Sequence, residues 1–275
     1  MKKYITAALV AGLLGTAATA NEHEYPSTEV ERLHGFVKAV SAKNIETDIT
    51  KLVSFGTRHT LSDTKSETRG IGAARRWIEA EFNRIAETCV AELEVYTISE
   101  TFTGDRIPNP TEVVNVIAVQ KGILDPSRVI MMSGDIDSRI TDPLNGTDDS
   151  PGANDNASGT TAVIELARYF NSQSKPERTL LFVAFTAEES GGLGSRYFSE
   201  QLDPDNIVAM FNIEMIGKPA VSGPNTAWIT GFERSSFGEI LQRAVEDTQY
   251  EFYADPYPEQ NLFFRSDNAT LARLG

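Results

Sequence analysis

The chain has 275 residues, 40% of them hydrophobic and 23% charged, with a formal net charge of −14. That composition excludes a disordered or fibrous chain and leaves room for a sizeable core, either one large α/β domain or two small ones. So acidic a surface speaks against nucleic acid and anionic membranes as partners. The lone cysteine, Cys89, excludes an internal disulfide and a thiolate metal site.

The first twenty residues, "MKKYITAALVAGLLGTAATA", set Lys2 and Lys3 before a short apolar run and end on the small-residue site Ala18-Thr19-Ala20. This pattern predicts a secretory signal peptide over residues 1–20, with the mature protein periplasmic or secreted and no membrane insertion after cleavage. From Ser27 to Lys51 the pattern is mostly helical. "ETRGIGAARRWIEAEFNRIAETC" predicts a second helix, with Ala73, Trp77, Ile78, Phe82 and Ile85 at helical spacing. Three strands follow: "AELEVYTIS", then "TEVVNVIAVQKG" and "SRVIMMSG", the last two joined by a turn around Asp125-Pro126. A polar loop from Asp135 to Asn156 leads into the helix "ASGTTAVIELARYFN". After it come the strand "TLLFVAF", the helix "GLGSRYFSEQL" and the strand "NIVAMFNIEMIG". A further strand, "TAWITG", a helix near Ser236–Glu246 and a short helix from Ser266 complete the chain. No internal repeat or low-complexity linker divides it, so residues 21–275 read as one domain. Strands alternating with helices predict a three-layer αβα sandwich around a mixed, largely parallel twisted sheet.

In open α/β sheets ligands collect at the carboxyl ends of the strands, and the acidic motifs fall there. Asp135 and Asp137 follow "VIMMSG", Glu188 and Glu189 follow "LLFVAF", Glu214 closes "AMFNI", and Asp155 lies in the loop leading into a helix. Carboxylates converging on a low-dielectric cleft cannot all stay ionised without cations to neutralise them. Divalent metal is one answer, in the form of a two-metal site that activates a water, with a further carboxylate free to take the water's proton. Adjacent side chains at a strand end point different ways, so one of Glu188 and Glu189 can hold a metal while the other faces the water. Plain solvation is the other answer, and it suits Asp148 and Asp149. A helix-loop-helix calcium site is not matched, because the loop lacks the regular spacing and closing glutamate.

"PGANDNASGTTAVIELAR", "LLFVAFTAEESGGLGS" and "NIEMIGK", in that order, resemble the co-catalytic di-zinc aminopeptidase family. That family includes bacterial leucyl aminopeptidases, glutamate carboxypeptidase II, the glutaminyl cyclases and the metal-free transferrin receptor. The resemblance runs from about Asn115 to Gly275, and "GDIDS" stands where the family has Gly-His-x-Asp-Ser. It implies the zinc-peptidase fold and a role for each acid. Asp155 would bridge two ions, with a cis bond to Asn156. Glu188 would be general base and acid. Glu189 would be a ligand of the second zinc and Glu214 of the first, where the family usually has aspartate. Asp137 would orient the ligand at Asp135.

The chain departs from the family in two places. Asp135 stands where histidine is usual, which makes the site harder and widens the metals it would take from Zn2+ to Mn2+, Co2+ or Mg2+. The family's second zinc also takes a histidine near the C-terminus, whereas the histidines here are His23, His34 and His59, all upstream of the motifs. "FFRSDNATLARLG" resembles the segment before that histidine, so a C-terminal truncation of a longer protein is expected. His59 is left out of the site as a surface or hydrogen-bonded residue, Ser266 and Asp267 read first as a helix cap, and "GGLGS" reads as a tight turn beneath the metals. The function implied is a zinc-dependent aminopeptidase acting on peptides with a free N-terminus. A glutaminyl-cyclase-like acyl transferase and a metal-free binding homologue are the alternatives.

Overall fold

A computed structural model describes residues 35–88 and 91–274. The expected signal peptide, His23, His34 and Cys89 lie outside the described residues. Among those described, no helix is long and apolar enough to cross a membrane.

Residues 35–39 are helical, and Ser41 then interrupts and restarts the helix. Its hydroxyl accepts a hydrogen bond from Asn44 N at 3.1 Å and caps α1, Ala42–Val53. Helix α2, Gly70–Glu87, buries Ala74, Ile78, Phe82 and Ile85 three or four residues apart, as the spacing predicts. Strand β1, Glu94–Gly104, pairs antiparallel with β2, Ile107–Gln120. Strand β3, Asp125–Asp135, precedes α3, Ser158–Asn171. Strand β4, Arg178–Phe185, α4, Leu193–Ser199, and β5, Ile207–Asn212, complete the sheet region.

The sheet order is β1-β2-β4-β3-β5. β4 therefore lies between β2 and β3, which are neighbours in sequence but not in the sheet. β3 runs parallel to β4 and β5, while β2 is antiparallel to β1 and β4. The central position of β4 accounts for its unbroken apolar run. Leu180, Phe182 and Ala184 pack on one face with Leu52, Ile78, Phe82 and Ile164 of α1, α2 and α3. Leu181, Val183 and Phe185 pack on the other with Phe198 of α4. At about 1.5–3 kcal/mol for each large apolar side chain fully buried, these two faces dominate the stabilisation.

A buried ionic knot ties the helical layer together. Arg168 of α3 pairs with Asp48 of α1 at 2.7 Å, with Glu165 at 2.9 Å and with Glu81 of α2. Beyond β5 the chain departs from the main sheet. Strand β6, Thr226–Ile229, is the expected "TAWITG" strand, but it pairs in parallel with β7, Glu251–Ala254, in a separate two-stranded sheet beside α5, Phe237–Ala244. Helix α6, Asn268–Ala272, then packs against α4 and β5.

Two glycines let the carboxyl edge of the sheet close up. A Cβ at Gly159 in the first turn of α3 would lie 2.0 Å from Ile213 O, and one at Gly134 in β3 would lie 2.9 Å from Gly159 C. Backbone therefore meets backbone where β3, α3 and the end of β5 converge.

Candidate active site

Asp135 is the last residue of β3 and Phe185 of β4 is its partner in the parallel ladder. The acids after these strands, and after β5, accordingly emerge on one edge. Asn156 joins the segments. It donates to Asp135 Oδ1 at 2.6 Å and to Ile213 O at 3.0 Å, and its own oxygen accepts from Gly159 N at 3.0 Å and Met215 N at 3.1 Å. Glu214, between Ile213 and Met215, is held at the site by the contacts of Asn156 with Ile213 O and Met215 N. The Asp155–Asn156 peptide bond is cis, as the resemblance implies.

Asp137 does something other than orient Asp135. Its carboxylate accepts from Glu188 N at 3.1 Å, Glu189 N at 3.2 Å and Thr60 Oγ1 at 2.9 Å. Asn156 is the residue that orients Asp135, and Asp137 instead shapes the turn that carries both glutamates. The turn itself uses Ala187 in the left-handed region at φ 65°, fully buried, and Met215 next to Glu214 adopts φ 53°. Non-glycine residues in that region cost about 1–3 kcal/mol each and concentrate at functional sites.

The two glutamates diverge as adjacent side chains at a strand end should. Glu188 is surrounded by Asp267, Glu214 and Asp137. Glu189 accepts from Arg139 Nε at 2.5 Å and feels Asp137 and Asp155.

Burial governs the electrostatics. It pushes the Asp135 carboxyl well above the ordinary range, reinforced by Glu214 and Glu188. The Glu188 carboxyl is pushed up to about 10 by burial and then by Asp267 and Glu214, and Glu214 to about 7 by burial and then by Asp155. Asp137, Asp155 and Glu189 are raised as well, burial again being the first cause.

Two further residues stand among the acids: Arg58, which the sequence does not single out, and Asp267, which reads first as a helix cap. Arg58 is 1% exposed, and its guanidinium donates only to backbone carbonyls: Ile136 at 2.8 Å, Pro151 at 2.6 Å, Gly152 at 3.0 Å and Leu52 at 3.3 Å. Burial lowers its pKa to about 10, while Asp135, Asp137 and Asp155 hold it up. The second is Asp267. It stands at the start of α6 but makes no capping hydrogen bond, so the cap reading is corrected. It is fully buried, and burial drives its carboxyl well above the ordinary range against the opposing pull of the Ser195 hydroxyl beside it. The one available signal was a lone arginine in "GTRHT" and an aspartate in "RSDN" set in otherwise unremarkable loops.

His59 is buried rather than on the surface. Leu61 N donates to its Nδ1 at 3.0 Å and its Nε2 meets Pro143 O at 3.2 Å, so neither ring nitrogen is left for a metal.

The donor chemistry fits a divalent cation. The acids outnumber the neighbouring guanidiniums, every donor is oxygen, and the buried Asp135 Oδ2 has no hydrogen-bond partner. Among the described residues no three Asp, Glu, His or Cys side chains are grouped closely enough to hold an ion as they stand. Binding therefore requires these side chains to draw closer together.

This field sets a pH dependence. Raised carboxyl pKa values mean that the folded protein binds more protons than the unfolded one, so stability falls as pH rises from the ordinary carboxylate value of 4.5 through about 7 for Glu214 and about 10 for Glu188. In chelator, the melting temperature should drop between about pH 5 and pH 9, and a divalent cation should raise it more at the upper end. A melting temperature that climbs with pH over this window would contradict the assignment.

The profile of peptidase family M28 matches residues 115–275. The chain is 44% identical over 198 residues to a probable zinc metalloprotease of Pyrenophora teres f. teres, a match covering 70% of this chain and 40% of that protein. It is 40% identical over 213 residues to another of Pyricularia oryzae, covering 74% and 42%. The chain thus spans about two-fifths of the length of these curated relatives. Among solved structures it is similar to the LapA aminopeptidase of Legionella pneumophila, with TM-score 0.65, 19% identity, and coverage of 94% of this chain and 64% of that one. It is also similar to a glutaminyl cyclase of Porphyromonas gingivalis, with TM-score 0.61, 19% identity, and coverage of 86% and 80%. At such identities these structures speak for the fold. The ordered motifs, the acids at the ends of β3, β4 and β5 and the profile match over more than half of the sequence agree, and the chain belongs to peptidase family M28.

Proposed function

We propose that this chain carries the peptidase centre of a zinc-dependent aminopeptidase that removes N-terminal residues from peptides. The observation that carries the reading is the clamp of Asp137 on Glu188 N and Glu189 N, which fixes one glutamate among buried acids and turns the other toward Arg139 and Asp155. Asp135, Asp155, Glu189 and Glu214 are the residues that would hold the metal, zinc by the names of its relatives and two ions by the number of carboxylates. Bound there, the metal supplies Lewis acidity toward the scissile carbonyl and toward water.

The other roles belong to the chain. Glu188 takes a proton from the attacking water as the C–O bond forms and returns it to the amine as the C–N bond breaks. Asp137 acts through backbone, holding the turn from which Glu188 projects. The acidic rim favours the positively charged α-amino group of a peptide. The leader-like first twenty residues support action in the periplasm or outside the cell.

The test uses peptides with free and acetylated N-termini. Purified protein should release residues stepwise from the free peptides only, lose that activity in chelator and regain it with zinc. Equal cleavage of acetylated peptides would sink the aminopeptidase reading. Loss of ammonia from N-terminal glutamine without hydrolysis would point to acyl transfer instead.

A further inference from the structure

We infer that Arg139 and Arg106 form a carboxylate-recognition pair at the mouth of the site, so that the preferred substrate is a peptide carrying a carboxylate close to the scissile bond. The word substrate rests on the peptidase reading, but the recognition itself does not. The two arginines come from different parts of the chain. Arg106 sits at the tip of the hairpin between β1 and β2, and Arg139 follows β3 by four residues. Both reach Glu189, the neighbour of Glu188. Arg139 Nε donates to Glu189 Oε2 at 2.5 Å, and Arg106 Nη1 donates to Glu189 O at 3.0 Å.

Neutralising Glu189 accounts for Arg139 Nε but not for the rest of this convergence. Arg106 bonds to the backbone carbonyl, not to the carboxylate, and its side chain is exposed. Arg139 uses Nε on Glu189 and Nη1 on Ile140 O at 3.3 Å, and its side chain remains 38% exposed. Among the described residues, Nη2 of both arginines is without a hydrogen-bond partner. Unspent guanidinium N–H groups therefore face solvent one residue from the proposed base, in a chain of net charge −14. A planar guanidinium fork matches a carboxylate in two-point contact, and a second guanidinium strengthens it. An incoming anion would otherwise be repelled by the surrounding acids, so these two side chains decide whether it is admitted.

The carboxylate has two possible sources, an acidic side chain beside the bond or the C-terminus of a dipeptide. Binding is read first, because it needs no turnover. Calorimetry on the zinc-loaded full chain should show glutarate binding at least about tenfold more tightly than glutaramide, with the difference shrinking as salt rises. Arg106→Gln should remove most of that preference and Arg106→Lys only part, since lysine keeps the charge and loses the fork. Arg106 touches only a carbonyl from an exposed hairpin tip, so its variants should fold; Arg139→Gln serves as the second.

Turnover then identifies the source. A preference in kcat/KM for Leu-Ala over its C-terminal amide assigns the C-terminus, and a preference for Glu-Ala amide over Gln-Ala amide assigns the side chain. Arginine-dependent glutarate binding in a protein that hydrolyses no peptide upholds the recognition pair and sinks the peptidase reading. Glutarate and glutaramide binding alike, glutarate affinity surviving in both glutamine variants, or active enzyme indifferent within both peptide pairs would each overturn the inference.

Discussion

Replacing Glu188 by glutamine is expected to lower kcat on aminoacyl substrates by about 10²- to 10⁴-fold, the usual contribution of a positioned general base. Metal content should stay at the parental level, because the four proposed ligands are other residues. The substitution keeps the shape of the side chain and removes its charge. It leaves the Glu188 backbone N–H on Asp137, so the turn should persist. A second readout separates a proton-transfer role from a merely structural one. Burial and the acids around Glu188 push its carboxyl to about 10, so ionising it in the metal-free fold is costly. The metal-free Glu188→Gln protein should then resist unfolding at about pH 9 better than the parent, losing activity while gaining stability. Parental turnover in the variant would remove Glu188 from the mechanism. Loss of turnover in the variant with unchanged high-pH stability would leave the base in place but contradict the electrostatic account of its pocket.

Arg58→Ala is expected to be the most damaging substitution for the fold. It would remove the guanidinium donor from the carbonyls of Leu52, Ile136, Pro151 and Gly152, of which Leu52 O and Gly152 O keep backbone donors in Phe55 N and Ala157 N. It would also remove the buried positive charge facing Asp135, Asp137 and Asp155. Each buried acceptor left without a donor costs about 1–3 kcal/mol, and deleting one partner from a buried charge cluster costs about 3–5 kcal/mol. The loss should therefore be at least about 3 kcal/mol in urea unfolding. Arg58→Lys should recover little of it, because one ammonium cannot reach carbonyls spread around a planar fork. A loss below about 1 kcal/mol for Arg58→Ala would show that water replaces the guanidinium and that the residue is dispensable.

Helical spacing alone places α2, and the apolar run of β4 announces a strand buried on both faces. The acids at the ends of β3, β4 and β5 follow from the motif order, and the cis bond after Asp155 is one that only the family resemblance implies. The insertion of β4 between β2 and β3 is invisible locally, because ladder partners are chosen by hydrogen bonds between distant segments. For the same reason β6 reads as a strand while its pairing with β7, outside the main sheet, does not. Arg58 and Asp267 lie in segments with no periodicity. Their burial comes from what packs over them, which no window of neighbouring residues records.

Residue types and their order determined by themselves that strands alternate with helices, that carboxylates stand where parallel strands end, and that the chain carries the M28 motifs. Tertiary structure decided what each carboxylate touches. It took Asp137 away from Asp135 and set it on two backbone amides, split Glu188 from Glu189, and buried Arg58 and Asp267 among the acids. The physical reason is that a carboxylate's chemistry depends on its desolvation and its nearest charges, and both are properties of the packed protein rather than of the residue.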